Sequence, residues 1–223
     1  MTEAEWLGHA VPGLMLRHLG DEVSERKLRL FACNCVELVS RYQPPHEVPV
    51  PLEIAWGAAD GTVGESEVEA VAPSPPNPRP ESASRWAEWH AARVLDAALR
   101  PKGRGAVSNL RQGVEAVAVR LAQDNKQDTA RASQESRTAL ATFLRDIFGN
   151  PFRPVAFSPD WRTDTAVALA SQMYKARDFS LMPILADALQ DAGCDSTEVL
   201  DHCRRPGPHV RGCWVVDRVL GRT

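Results

Sequence analysis

Apolar side chains recur at every third or fourth position through most of this chain, and this spacing constrains the fold more than any other feature. It places the apolar residues on one face of an α-helix. One such stripe comprises Leu28, Phe31, Ala32, Cys35, Val39 and Tyr42, and another comprises Leu140, Phe143, Leu144, Ile147 and Phe148. No stretch shows the strict alternation between tight turns that marks a half-buried strand. We therefore predict an all-α fold, either an irregular multi-helix bundle or a helix-pair array.

The stripes also predict which side chains form the core. The residues expected to be buried are Leu28, Phe31, Cys35, Leu140, Phe143, Leu144, Ile147, Phe152, Leu185, Leu189 and Trp214. Cys33 and Cys35 are two residues apart, so on a helix they point about 200° away from each other and cannot share a metal ion or a disulfide. We expect one of these two thiols to face the core and the other to lie on its flank.

Proline divides the sequence. Residues 73–82 contain five prolines in ten positions, which neither a helix nor a central strand can accommodate. We predict a linker or surface loop there, between an N-terminal helical segment (1–72) and a C-terminal one (83–223) that pack together as one unit. Residues 150–161 combine apolar side chains with three prolines and predict an irregular apolar strap across the core.

Four shorter helices are predicted beyond this strap. The first covers about 163–177, and the second follows Ser180. The third follows Asp195, with Glu198 three residues later in the spacing of a capping box. The last is expected to begin at Pro208 and to end near Leu220, before a glycine.

Composition excludes several classes of protein. The net charge of −3 and the pI of about 6.1 give no field that would attract nucleic acid or anionic lipid. No apolar run approaches the roughly 20 residues that span a bilayer, and residues 1–10 lack the features of a signal peptide. The five cysteines are an odd number and lie within helical patterns, as reduced thiols would. We expect a cytoplasmic protein that does not contact membranes.

Catalytic motifs are absent from the sequence. It contains no phosphate-binding loop of the GxxxxGK[ST] type, no GxGxxG, no HExxH and no GxSxG. Their absence leaves the question of enzymatic activity open but favours a non-enzymatic protein without a cofactor and without catalytic residues. The leading hypothesis is an interaction, scaffold or accessory module whose partner is another protein.

The densest chemistry lies in residues 194–214. Five residues there are candidate metal ligands, namely Cys194, His202, Cys203, His209 and Cys213. If the last helix began at Pro208, His209 and Cys213 would share one helical face, and a structural zinc site is the first alternative function. No CxxC pair is present, however, and buried cysteines are common as small core residues. The sequence by itself therefore predicts that no metal is bound.

The same stretch suggests two kinds of phosphate chemistry. Arg204 and His209 match the loose Arg-x(4–6)-His pattern of the all-α HEPN ribonucleases, which makes an RNase or another phosphate-handling enzyme the second alternative. A helix beginning at Pro208 would also offer free backbone N–H groups to an anion. The candidate binding residues for either role are Arg204, Arg205, His209 and Arg211. The competing interpretation is a solvated arginine cluster paired with nearby aspartates.

Two blocks of the sequence resemble a known family. The N-terminal block contains TEAEWL and RKLRLFACNC, and the C-terminal block contains LRDIFGNPFRPV (144–155) and HCRRPGPHVRGCWVVDRVLG (202–221). These motifs resemble a paralogous family of planctomycete-type bacterial proteins. The resemblance implies that the two blocks occur together around a variable middle region, and it implies no particular activity.

Overall fold

The computed structural model describes residues 1–8, 11–20, 23–42, 50–72, 84–100, 114–116, 119, 122–123 and 126–222. No strand occurs among these residues, which confirms the predicted all-α fold. The helices are α1 (Glu3–Gly8), α2 (Pro12–Leu19), α3 (Glu25–Tyr42), α4 (Val50–Ala59), α5 (Glu65–Val71), α6 (Ser84–Leu99), α7 (Thr129–Phe148), α8 (Asp164–Ala176), α9 (Met182–Asp191), α10 (Thr197–Arg204) and α11 (Trp214–Val219), with a 3-10 turn at Pro159–Trp161.

The chain forms two compact units, Met1–Leu144 and Arg145–Thr223, and the boundary between them falls near the end of α7. It does not coincide with the Pro-rich segment 73–82, which lies outside the described residues. Packing of the segments 1–72 and 83–223 as one unit stays a prediction.

The first unit is built around α3, which packs against both α4 and α6. Cys33 and Cys35 are both fully buried, so the expectation that one of them lies on the flank is wrong. Because two helices cover α3, side chains that point in opposite directions are both shielded from water. Leu28 is only half-buried, contrary to prediction, whereas Phe31 has no exposed surface.

The second unit contains α8 to α11. In this unit α9 packs against α8 and α10, and α11 contacts the same two helices. Leu185 and Leu189 are fully buried in its core, as predicted. The strap at 150–161 is irregular and packs on this core through Val155 and Phe157, whereas Phe152 and Trp214, both predicted to be buried, are half-buried.

Two helix starts differ from the prediction. The N-cap of α10 is Ser196, whose Oγ accepts the Val199 N–H at 3.4 Å, so Asp195 does not form the expected capping box. The last helix begins at Trp214, not at Pro208. The prolines at 206 and 208 lack N–H donors, and Gly212 adopts a φ of 100°, which no α-helix contains. Residues 205–213 therefore form a loop, called the Pro-Gly loop below.

Among the helices that the structure describes, none combines the length and apolar composition needed to cross a bilayer.

Candidate metal centre

Three segments of the unit Arg145–Thr223 meet at one buried cluster. The last turn of α7 contributes Asp146, and α10 contributes His202. The Pro-Gly loop contributes His209 and Cys213. The predicted placement of these last two residues on a shared helical face is wrong, and the loop brings them to the cluster instead.

The carboxylate of Asp146 is the centre of this cluster, and only 4% of the residue is exposed. Its Oδ1 lies 2.7 Å from Nδ1 of His209 and 3.2 Å from Nε2 of His202. Its Oδ2 accepts the backbone N–H of Val210 at 2.8 Å. Burial raises the pKa of Asp146, but the hydrogen bonds from His202 and His209 outweigh burial, so the pKa lies below its ordinary value. The carboxylate is therefore ionised at neutral pH.

His202 has a defined tautomer in this arrangement. Its Nδ1 accepts a hydrogen bond from the indole Nε1–H of Trp214 at 3.1 Å. An indole N–H can only donate, so Nδ1 carries no proton and the neutral ring is protonated at Nε2. That Nε2 faces both Oδ1 of Asp146 and the Sγ of Cys213, which is 3.1 Å away.

His209 is held on one side only. Its Nδ1 contacts the Asp146 carboxylate, whereas its Nε2 is buried and has no hydrogen-bond partner among the described residues. Neutral imidazole is the commonest metal ligand in proteins, and it can bind a metal ion through either ring nitrogen. An unpartnered buried imidazole nitrogen is also costly without a ligand.

The thiols in this region are not activated nucleophiles. Burial, followed by the charge of Asp146, raises the pKa of the fully buried Cys213 well above its ordinary value. The same causes raise the pKa of Cys203 to about 12. A nucleophilic cysteine needs the opposite shift and an accessible sulfur. In a catalytic triad, moreover, the histidine contacts the nucleophile through one ring nitrogen and the carboxylate through the other. His202 instead has the same atom, Nε2, close to both Cys213 and Asp146.

The dimensions of the cluster suit a metal ion. One ligand atom from each of Asp146, His202, His209 and Cys213 lies within 4.8 Å of the other three. In a tetrahedral zinc site the bond lengths of about 2.0–2.3 Å place the ligand atoms roughly 3.3–3.7 Å apart. Two imidazoles, one thiol and one carboxylate are all zinc ligands, and a thiolate with a carboxylate would balance the charge of a divalent ion.

The five metal candidates from the sequence thus separate into two groups. His202, His209 and Cys213 lie in the cluster, whereas Cys194 and Cys203 are buried in the apolar core of the unit. Sequence reasoning missed Asp146. A signal was present in the sequence, because Asp146 lies beside the apolar stripe in the last turn of a helix. The negative end of the helix dipole repels a carboxylate there, so the carboxylate needs hydrogen-bond donors nearby.

The arginine candidates do not converge on His209. Arg204 bonds Asp187 at 3.1 Å and Gln190 at 2.6 Å, both on α9. The guanidinium of Arg211 stacks on Tyr174, 4.7 Å from the ring centroid, and Arg205 is exposed at the end of α10. The last helix begins at Trp214, so no helix N-terminus lies at Pro208 to offer its N–H groups to an anion.

No family model, no curated protein and no solved structure matches this chain.

Proposed function

We propose that the unit Arg145–Thr223 binds one zinc ion through Asp146, His202, His209 and Cys213. The observation that carries this proposal is the convergence of four zinc-type ligands in one buried place. The proposal departs from the sequence-based expectation of no metal. That expectation included neither Asp146 nor the fold of the Pro-Gly loop, and without them the sequence offered no complete ligand set.

The proposed zinc is structural. Four protein ligands close a tetrahedral site, whereas catalytic zinc sites keep one position for water or substrate. Asp146 and Cys213 are almost completely buried, and His202 is the most exposed of the four with 17% of its side chain accessible. The ion would fasten the Pro-Gly loop to α10 and to the end of α7. Because metal binding and folding of such a site form one equilibrium, the ion would add directly to stability.

A structural metal agrees with a wider role as a non-enzymatic interaction or accessory module whose partner is another protein in the cytoplasm.

We also propose membership of the planctomycete-type family. The segment 144–155 contributes Asp146 to the cluster, and the segment 202–221 contributes the other three residues. Both segments belong to the C-terminal block of the resemblance, and a shared metal site would give that block one structural role.

Metal analysis tests the proposed function. Protein purified without added metal should contain about one equivalent of zinc, and a chelator should lower its melting temperature. The cobalt-substituted protein should show a thiolate-to-cobalt absorption band that Cys213→Ser removes. Cys203→Ser is the matched control, since Cys203 is a buried thiol in the same region that lies outside the cluster. A metal-free protein that ignores the chelator, with equal effects of the two serine variants, would contradict the proposal.

A further inference from the structure

The indole of Trp214 and a metal ion in the cluster require opposite proton positions on His202. We infer that Trp214 sets the metal affinity of the cluster, because its indole holds His202 in the tautomer that cannot coordinate. This inference rests on the proposed zinc site and adds the residue that regulates it.

The proton position on His202 in this structure follows from the donor at Nδ1. The Nε1–H of Trp214 donates to Nδ1 of His202 across 3.1 Å, and the ring centroids are 5.2 Å apart. The single proton of the neutral imidazole is then on Nε2, between Asp146 and Cys213. In this state Nε2 has no lone pair to offer a metal ion.

Metal binding reverses this arrangement. Coordination through Nε2 leaves the one proton of His202 on Nδ1, and the Cys213 thiol releases its proton to solvent as the thiolate forms. The N–H at Nδ1 then faces the indole N–H, and two donors cannot bond to each other. The indole of Trp214 must therefore leave His202. Trp214 is only half-buried, so its N–H can reach water.

Metal binding breaks the hydrogen bond between Trp214 and His202, so the affinity for zinc is lower by the net free energy of that one bond. A net contribution typical of a neutral protein hydrogen bond corresponds to about a threefold to tenfold change in the dissociation constant. Trp214→Phe removes the N–H but keeps an aromatic ring against Gly149, where the indole packs. We therefore expect this variant to bind zinc about three to ten times more tightly than the natural chain.

Trp161→Phe is the matched control. Trp161 is a buried tryptophan of the same unit whose ring packs edge-on against Phe157, with centroids 5.1 Å apart. It contributes no atom to the cluster. Its replacement by phenylalanine should leave the zinc dissociation constant unchanged.

Nitrogen-15 NMR of the natural chain gives a readout that packing alone would not change. Without metal, the His202 proton should be on Nε2, and zinc should move it to Nδ1 and shift the indole N–H resonance of Trp214 but not that of Trp161. If zinc binds while the Trp214 resonance stays in place, or if Trp214→Phe binds no more tightly, the inference is overturned and the zinc site stands. If neither protein binds zinc, the zinc site and the inference fall together.

Discussion

Nδ1 of His209 lies 2.7 Å from Oδ1 of Asp146, although the two residues are 63 positions apart in the chain. This contact joins the end of α7 to the Pro-Gly loop. The carboxylate also receives the N–H of Val210 and faces Nε2 of His202, so one buried charge organises three donors. The stability of the unit should therefore depend on the charge of Asp146 as well as on its size.

Asp146→Asn tests this dependence directly. The asparagine amide has nearly the same shape as the aspartate carboxylate but carries no charge. Its NH2 group would also place N–H donors against the N–H donors that now surround the carboxylate. We expect the free energy of unfolding to fall by about 3 kcal/mol or more, as when one partner of a buried ionic contact is removed. Urea denaturation measures this loss. Asp160→Asn, at an exposed aspartate of the same unit, should change stability by no more than about 0.5 kcal/mol.

The pH dependence of the same pair of proteins is a separate prediction. The histidine hydrogen bonds lower the pKa of Asp146 despite its burial. A lowered pKa means that the stabilising contribution is present above the unfolded-state pKa of about 3.9 and is lost as pH falls through the folded-state pKa. The stability difference between the natural chain and Asp146→Asn should shrink as pH falls below about 4. A difference that does not shrink below pH 4 would mean that the charge of Asp146 does not contribute to stability.

Local patterns in the sequence explain how much of the fold was predictable. The spacing of apolar residues identified the cores of α3, α7 and α9, because helix formation and amphipathicity are properties of a short window. Burial of both Cys33 and Cys35 depends instead on which helices cover α3, and no short window contains that information. The sequence underestimates the extent of the Pro-Gly loop, because a proline at 208 favours a helix start, whereas Gly212 four residues later has a φ of 100°.

The candidate site was predictable only in part, for the same reason. His202, His209 and Cys213 are close in sequence and were recognisable as potential ligands. Asp146 completes the cluster from another helix, and its approach to His209, 63 positions away, depends on tertiary packing. Composition and spacing do not encode such a distance, whereas an acidic group at the wrong end of a helix dipole does signal that partners exist.

Two adjacent residues of α9 test the core of the second unit. Leu185 is fully buried, whereas 53% of Ile184 is exposed. Leu185→Ala should lower the free energy of unfolding by about 2–5 kcal/mol, since it removes buried methyl groups and leaves a cavity. Ile184→Ala should cost less than about 1 kcal/mol. Similar losses at both positions in chemical denaturation would show that α9 is rotated relative to its described orientation.

Gly149 ends α7 in a conformation that other residues avoid. Its φ is 68°, and a Cβ built there would lie 3.4 Å from the indole ring of Trp214. Gly149→Ala should cost about 1–2 kcal/mol from the left-handed backbone alone, with any shift of the ring adding to this. Gly207→Ala is the control, because Gly207 has no positive φ and its Cβ would meet nothing within 4 Å. Thermal unfolding of both variants should separate them clearly.

Buried thiols should make the protein sensitive to alkaline pH, and Cys35 allows a test in the unit Met1–Leu144, which contains no residue of the proposed zinc site. Burial, with a smaller effect from Cys33, raises the pKa of the Cys35 thiol well above its ordinary value. A raised pKa gives stability that is fully present below the unfolded-state pKa of about 8.5 and is lost as pH rises through the folded-state pKa. From about pH 8.5 upward, the natural chain should therefore lose stability relative to Cys35→Ala, by at most about 1.4 kcal/mol per pH unit. Denaturant titrations of both proteins at several pH values between 7 and 10.5 measure this difference, in which the titration of groups that do not interact with Cys35 cancels. Parallel curves would mean that the Cys35 thiol ionises in the folded protein as readily as in the unfolded chain, which is incompatible with a thiol that has no exposed surface.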